Sequence, residues 1–356
     1  MSGAPFSDAA DRLPIEPADL EAAVAEGILT AEQAGALAAF AEARRTRPSE
    51  SVDEEDVRLV TSFNDVFVVI GIALSIGSIA GLGSMFAPFV AAPVVAILAW
   101  GLSEIFTRRR RMALPSLVLV AVFSTACAAT VVFALADAAG RALPFLAGIA
   151  AFAGAYAHWR RFRVPIAMAA MAAGVVGTAL GGLAGLAPDV FGDHWQAIVL
   201  LAGLGVFLFA MRWDVSDRER RTRRSDTAFW LHVLAAPLLV HPLAGFTGAG
   251  FGFATPAAPI PLLGLFLALA VVAIVVDRRA LLVSGLAYFG GSILVLIRQV
   301  GWSGETVGAV TLGLVGASIL LLSIAWTPLR DLLLRFVPAS VRAFVPAPRA
   351  IRGFSS

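Results

Sequence analysis

Ten apolar runs recur between Val66 and Trp326, at about 66–87, 89–106, 113–136, 142–158, 164–187, 194–211, 227–244, 259–276, 280–297 and 305–326. Each is long enough to cross a hydrocarbon core of about 30 Å, which takes about 20 helical residues. Lipid offers no water to backbone N–H and C=O groups, so a spanning segment must satisfy them internally. The runs lack the two-residue alternation of a barrel strand and therefore read as helices. Composition agrees: 59% of the 356 residues are hydrophobic and 15% charged, against about 25% charged in a soluble domain. The expected fold class is all-α: a polytopic transmembrane helix bundle of about ten spans with a small N-terminal soluble helical hairpin.

Arginine orders these spans. All 27 basic residues are arginine. With the N-terminus inside, 25 of the 27 fall in inner segments, and only Arg141 and Arg298 lie in outer loops. The inner groups are those before residue 59, Arg108–Arg111, three at 160–163, six in 212–224, Arg278 and Arg279, and five after residue 329. That is the positive-inside pattern, and an odd number of spans would break it. The seven tryptophans fall near span ends or in short loops, as an interfacial aromatic belt requires. A multi-pass protein of the bacterial inner membrane with both termini cytoplasmic is expected. The first 57 residues are polar and acidic and do not read as a secretory signal. The single cysteine, Cys127, lies mid-span and has no partner in the chain.

Three domains follow: an acidic tail and helical hairpin over 1–57, the bundle over 58–326, and an amphipathic C-terminal segment over 327–356. In the hairpin, Pro17 suits a first helical turn, Gly27 a C-terminal cap, and Thr30-Ala31-Glu32-Gln33 a capping box. Ser51-Val52-Asp53-Glu54 is a second such box ahead of the first span. Residues 1–58 hold 13 acids and 5 arginines. An acidic segment of this kind is repelled by nucleic acid and by anionic lipid. After Trp326, Leu, Phe and Val alternate with Arg330, Arg335 and Arg342 up to a break at Pro338, as in a helix lying on the inner surface.

The seventh span carries the most unusual residues. His232 sits about 8 Å past the inner boundary, at about 1.5 Å per residue. Pro237 lacks an N–H and frees the carbonyl of Val233. Together they fit a polar path for an ion or solute. The plainer reading, and the favoured one, is a histidine bonded to a neighbouring helix beside a packing kink. On the outer side Asp189, Asp193, His194 and His241 have metal-ligand chemistry, but nothing in the sequence brings their two loops together, and hydrated loop residues are the favoured reading. Glu104 can pair with Arg108 one turn on, Asp65 complements the helix dipole, and Arg298 can pair with Glu305 across a loop. Gly174, Gly177, Gly181 and Gly185, and Gly77 with Gly81, have the spacing that lets helix backbones approach. Gly248-Ala249-Gly250-Phe251-Gly252 resembles half a phosphate loop, but no lysine follows.

There is no HExxH, CxxC, Walker lysine or GxSxG. No catalytic residue, metal or cofactor is therefore assigned. The stretch Arg224-Ser225-Asp226-Thr227-Ala228-Phe229-Trp230-Leu231-His232, with His241-Pro242-Leu243, Ser62-Phe63-Asn64-Asp65 and Thr327-Pro328-Leu329-Arg330, is similar to a signature of multispan membrane proteins of unknown function in Gram-negative bacteria. Glu26-Gly27-Ile28-Leu29-Thr30-Ala31-Glu32-Gln33 resembles the helical pair that opens several such families. The resemblance implies an inner-membrane location and no activity. Two functions stay open: passage or sensing of a small solute or ion through the bundle, or a non-transporting scaffold whose hairpin docks a cytosolic partner. The partners open to the chain are the lipid bilayer, that cytosolic protein and a second copy of itself.

Overall fold

The computed structural model describes residues 17–46, 63–218, 220, 222–247, 259–342, 344 and 345. It divides into two compact units, Met1–Asp53 and Glu54–Ser356. In the first, α1 (Pro17–Ala25) and α2 (Ala31–Thr46) make the expected hairpin. Gly27 lies at φ +73°, the left-handed conformation that ends a helix. The capping box closes both ways: Thr30 N–H donates to Gln33 Oε1 at 3.0 Å, and Gln33 N–H to Thr30 Oγ1 at 3.1 Å. Ser51–Glu54 and the glycine-rich stretch from Gly248 lie outside the described residues.

The second unit holds ten long apolar helices and no described strand. They are α3 (Phe63–Phe86), α4 (Pro88–Ser103), α5 (Ala113–Leu135), α6 (Leu143–Phe162), α7 (Ile166–Leu186), α8 (Pro188–Ser216), α9 (Arg223–Phe246), α10 (Pro259–Val276), α11 (Ala280–Arg298) and α12 (Gly304–Phe336), with a short α13 (Ala339–Arg342) after them. Successive helices pack as antiparallel neighbours. The connections after α4, α6, α8 and α10 therefore share one end, the arginine-rich end. Large apolar side chains point outward, Leu186 at 91% exposure and Ile324 at 79% among them. Such a surface is at home in lipid and not in water. The chain is an integral membrane protein.

Position in the bundle follows from burial. In the apolar window of α9, 44% of residues are buried, against 6% for α3. α9 is the hub, packed on α7, α8, α10 and α11. Alanine and glycine permit the close packing. A methyl group on Gly174 would lie 2.6 Å from the Phe152 backbone nitrogen, and one on Gly181 2.5 Å from the Pro144 carbonyl carbon. Their stripe is the α6–α7 seam. Among the described residues Gly77 has no heavy atom within 4 Å of such a methyl, so no neighbour closes on α3 at that position.

Two helices outrun their apolar runs. α8 starts at Pro188, bends at His194 (φ −124°) and continues to Ser216, so Arg212–Ser216 is helix and not loop. α12 passes through Pro328 to Phe336. The segment after Trp326 is thus a continuation of the last span, and Arg330 and Leu334 on it are buried. Pro338 does end that helix, with Val337 as its extended C-cap.

Candidate functional site

The short turn between α10 and α11 carries the densest chemistry in the described residues. α10 ends in a Schellman motif: Arg278 N–H donates to Ala273 O at 2.8 Å and Asp277 N–H to Ile274 O at 3.2 Å. The residue at its left-handed position is Asp277, at φ +60°, where glycine is usual. A non-glycine residue held there costs roughly 1 kcal/mol or more. Its side chain accounts for the choice. The turn sends Asp277 toward α12 and Arg278 toward α8 and α9.

On the α12 side, Trp326 Nε1–H donates to Asp277 Oδ1 at 2.7 Å. Arg330 Nε and Arg220 Nη1 each lie 3.6 Å from Asp277 Oδ2. Arg220 Nη2–H also donates to the carbonyl of Asp277 at 3.1 Å, at the carbonyl-rich end of α10. On the other side, Arg278 pairs with both oxygens of Asp214 and donates to Ser225 Oγ at 3.2 Å. His232 Nε2 lies 2.8 Å from Asp214 Oδ2. A carboxylate only accepts, so Nε2 carries the proton. His232 Nδ1 and Arg278 Nη1 are buried and have no hydrogen-bond partner among the described residues.

Six ionisable groups thus meet at one end of five helices, α8 to α12, and every one of these side chains is at most 7% exposed. Removing one partner from a buried pair of this kind costs about 3–5 kcal/mol, because the other charge is left stranded. Exposed pairs elsewhere are different. Glu104 accepts from Arg108 at 3.2 Å, as its spacing predicted, and from Arg161 of α6 at 2.6 Å. With Arg108 at 55% exposure and Arg161 at 39%, each contributes about 0–1 kcal/mol.

The sequence expectations divide accordingly. His232 is fully buried, bonded to α8 and edge-on to Phe207 at 5.4 Å. Pro237 lies inside an unbroken α9 and takes no part in the network. His241 Nδ1 lies 2.6 Å from the hydroxyl of Tyr288 on α11. Asp189, Asp193 and His194 stand in the first turns of α8. Among the described residues no three His, Cys, Asp or Glu side chains converge to hold a metal, so the four outer residues are not brought together as one. Among the described residues no ion pair joins Arg298 to Glu305.

Sequence reasoning passed over Asp214, Asp277, Arg278, Arg220 and Arg330. It read the arginines as markers of sidedness. A signal was present: Asp214 and Asp277 are acids at helix C-termini, where the dipole disfavours them unless a cation compensates. His158 was also missed. It is fully buried, 3.2 Å from Ser103 Oγ and 4.5 Å from the ring of Phe162. No protein-family model, no curated protein and no solved structure matches this chain.

Proposed function

We propose that the protein passes or senses a small solute or ion through its bundle, with the arginine-rich end in the cytosol of a bacterium. The buried network is then the cytosolic closure. One observation carries this reading: two carboxylates, three arginines and a histidine are withdrawn from solvent inside a membrane protein. Ionisable groups buried within a membrane protein are costly, and a recurrent use of them is an ion or solute path or the control of one. The side chains of two consecutive turn residues tie α12 and the α8–α9 pair to the α10–α11 turn, and His232 with Asp214 ties α9 to α8. A closure built that way can open without unfolding a helix. In this reading the structure is the closed form, since His232 has no exposed surface.

The test is a leak assay with an accessibility readout. In a Cys127→Ser background, cysteines at Leu234 and Leu238 report water reaching α9 from the arginine-rich end. Asp214→Asn and Arg278→Gln are expected to raise labelling at both positions and ion leak from proteoliposomes. Folded variants that stay sealed and unlabelled would make the network a structural staple and overturn the reading.

A second reading has its own support. The α1–α2 hairpin leaves Ile28 at 69% and Leu37 at 38% exposure, apolar contacts that suit a scaffold docking a cytosolic partner. Deleting residues 1–50 would then abolish function while the bundle still inserts. An enzyme gains no support from the network. Ser225 bonds Arg278, and no hydrogen bond joins it to His232, so serine, histidine and aspartate do not line up as a nucleophilic relay.

A further inference from the structure

A cleft of about 430 Å³ lies between α10, α11 and α12. Phe266, Ala270, Leu282 and Phe289 line it, and its apolar rim includes Leu267 and Val283, at 64% and 67% exposure. Apolar grooves of this size are not in themselves informative. A second one, of about 440 Å³, lies between α3, α4 and α5, lined by Ile76, Ala92, Val122 and Phe133 with no charged residue. The α10–α12 cleft differs at one end, where Arg279 and Trp326 line it. The Arg279 guanidinium stands 5.1 Å from the centre of the Trp326 ring. The indole is itself fixed by its bond to Asp277, so the buried network sets the position of the charged mouth.

Depth identifies the occupant. Phe289 follows Arg279 by ten residues of α11, about 15 Å along a helix. That is about half of a 30 Å hydrocarbon core, the reach of one leaflet's acyl chain. A cation at the interface above an apolar groove one leaflet deep complements a molecule with an anionic head and a single long hydrocarbon tail in the groove. We infer that the cleft between α10, α11 and α12 is a binding site for an anionic phospholipid of the leaflet at the arginine-rich end, its phosphate on Arg279 and one acyl chain against Ala270, Leu282 and Phe289.

The experiment extracts the full chain in mild detergent from vesicles of mixed phosphatidylglycerol and phosphatidylcholine and weighs the lipid that stays bound. Wild type should retain phosphatidylglycerol preferentially. Arg279→Gln should lower that preference about fivefold, what one arginine near a charged membrane surface is worth. Arg279→Lys should keep most of it, and Arg298→Gln, at the opposite end of α11, all of it. Val283→Trp places bulk on the exposed rim and should displace the lipid with Arg279 intact, which keeps the test decisive if Arg279→Gln fails to fold. Equal retention of the two lipids by wild type would overturn the site, as would an Arg279→Gln protein that behaves as wild type. Displacement by glycerol phosphate alone would show an anion site without a chain, and would overturn it too.

Discussion

Asp277 shows how much one residue position can be asked to do. Its backbone is left-handed, which favours glycine, and its carboxylate holds an indole and faces two guanidinium groups. The two demands conflict, and substitutions separate them. Asp277→Gly relieves the backbone but takes the acceptor from Trp326 N–H and removes the buried carboxylate that faces Arg220 and Arg330. It should cost about 3–5 kcal/mol, despite the better backbone fit. Asp277→Asn tolerates the left-handed region and keeps an acceptor for Trp326, so it should cost less than glycine. Thermal unfolding in detergent gives the order, and glycine above asparagine would show that backbone strain dominates. Asp214 and Arg278 call for a double-mutant cycle. Asp214→Asn and Arg278→Gln should each cost about 3–5 kcal/mol, and the double variant clearly less than their sum. Additive losses would mean that the pair is not coupled.

At the scale of helices and turns, one regularity ties sequence to architecture. The connections after α4, α6, α8 and α10 each contain a left-handed non-glycine residue: Arg111, Arg163, Arg220 and Asp277. At the opposite end the left-handed residues among those described are Gly140 and Gly301. Charge is kept at the arginine-rich end at a cost in backbone strain. Arg111 is exposed, so Arg111→Gly should stabilise the α4–α5 turn by about 0.5–1 kcal/mol, read as a higher unfolding temperature. The α6–α7 seam gives the contrary case. Gly181→Leu should destabilise by about 1–3 kcal/mol or more, whereas Gly77→Leu on open α3 should stay within about 0.5 kcal/mol. Hydropathy made all ten helices legible because lipid-facing sides are apolar regardless of what they pack against. It could not show where α8 and α12 end, since Arg212, Asp214 and Arg330 look like loop residues until their partners are known. Glu104 with Arg108 was legible because they lie one turn apart. Asp214 with Arg278 was not, because 64 residues separate them and only the packing of α8 against α9, and of α9 against α11, closes that distance.

The whole molecule is built in two manners. From α3 to α7 the helices are joined by small-residue seams and by exposed ion pairs at Glu104. From α8 to α12 they converge on buried charge, with α9 touching both parts through α7 and α8. Hairpin alternation puts the four arginine-rich turns at one end whatever the protein's orientation. Arginine sorting predicts that this end faces the cytosol, because guanidinium groups resist translocation. In the Cys127→Ser background, single cysteines at Arg110, Asp217 and Arg279 should therefore react with an impermeant maleimide only in inverted vesicles. Cysteines at Ala139 and Trp302 should react only in intact cells lacking the outer barrier. Reaction of all five from one side would break the alternation and with it the ten-span fold. A clean reversal would keep the fold and place the buried network on the outer face, where a closure against the cytosol could not operate.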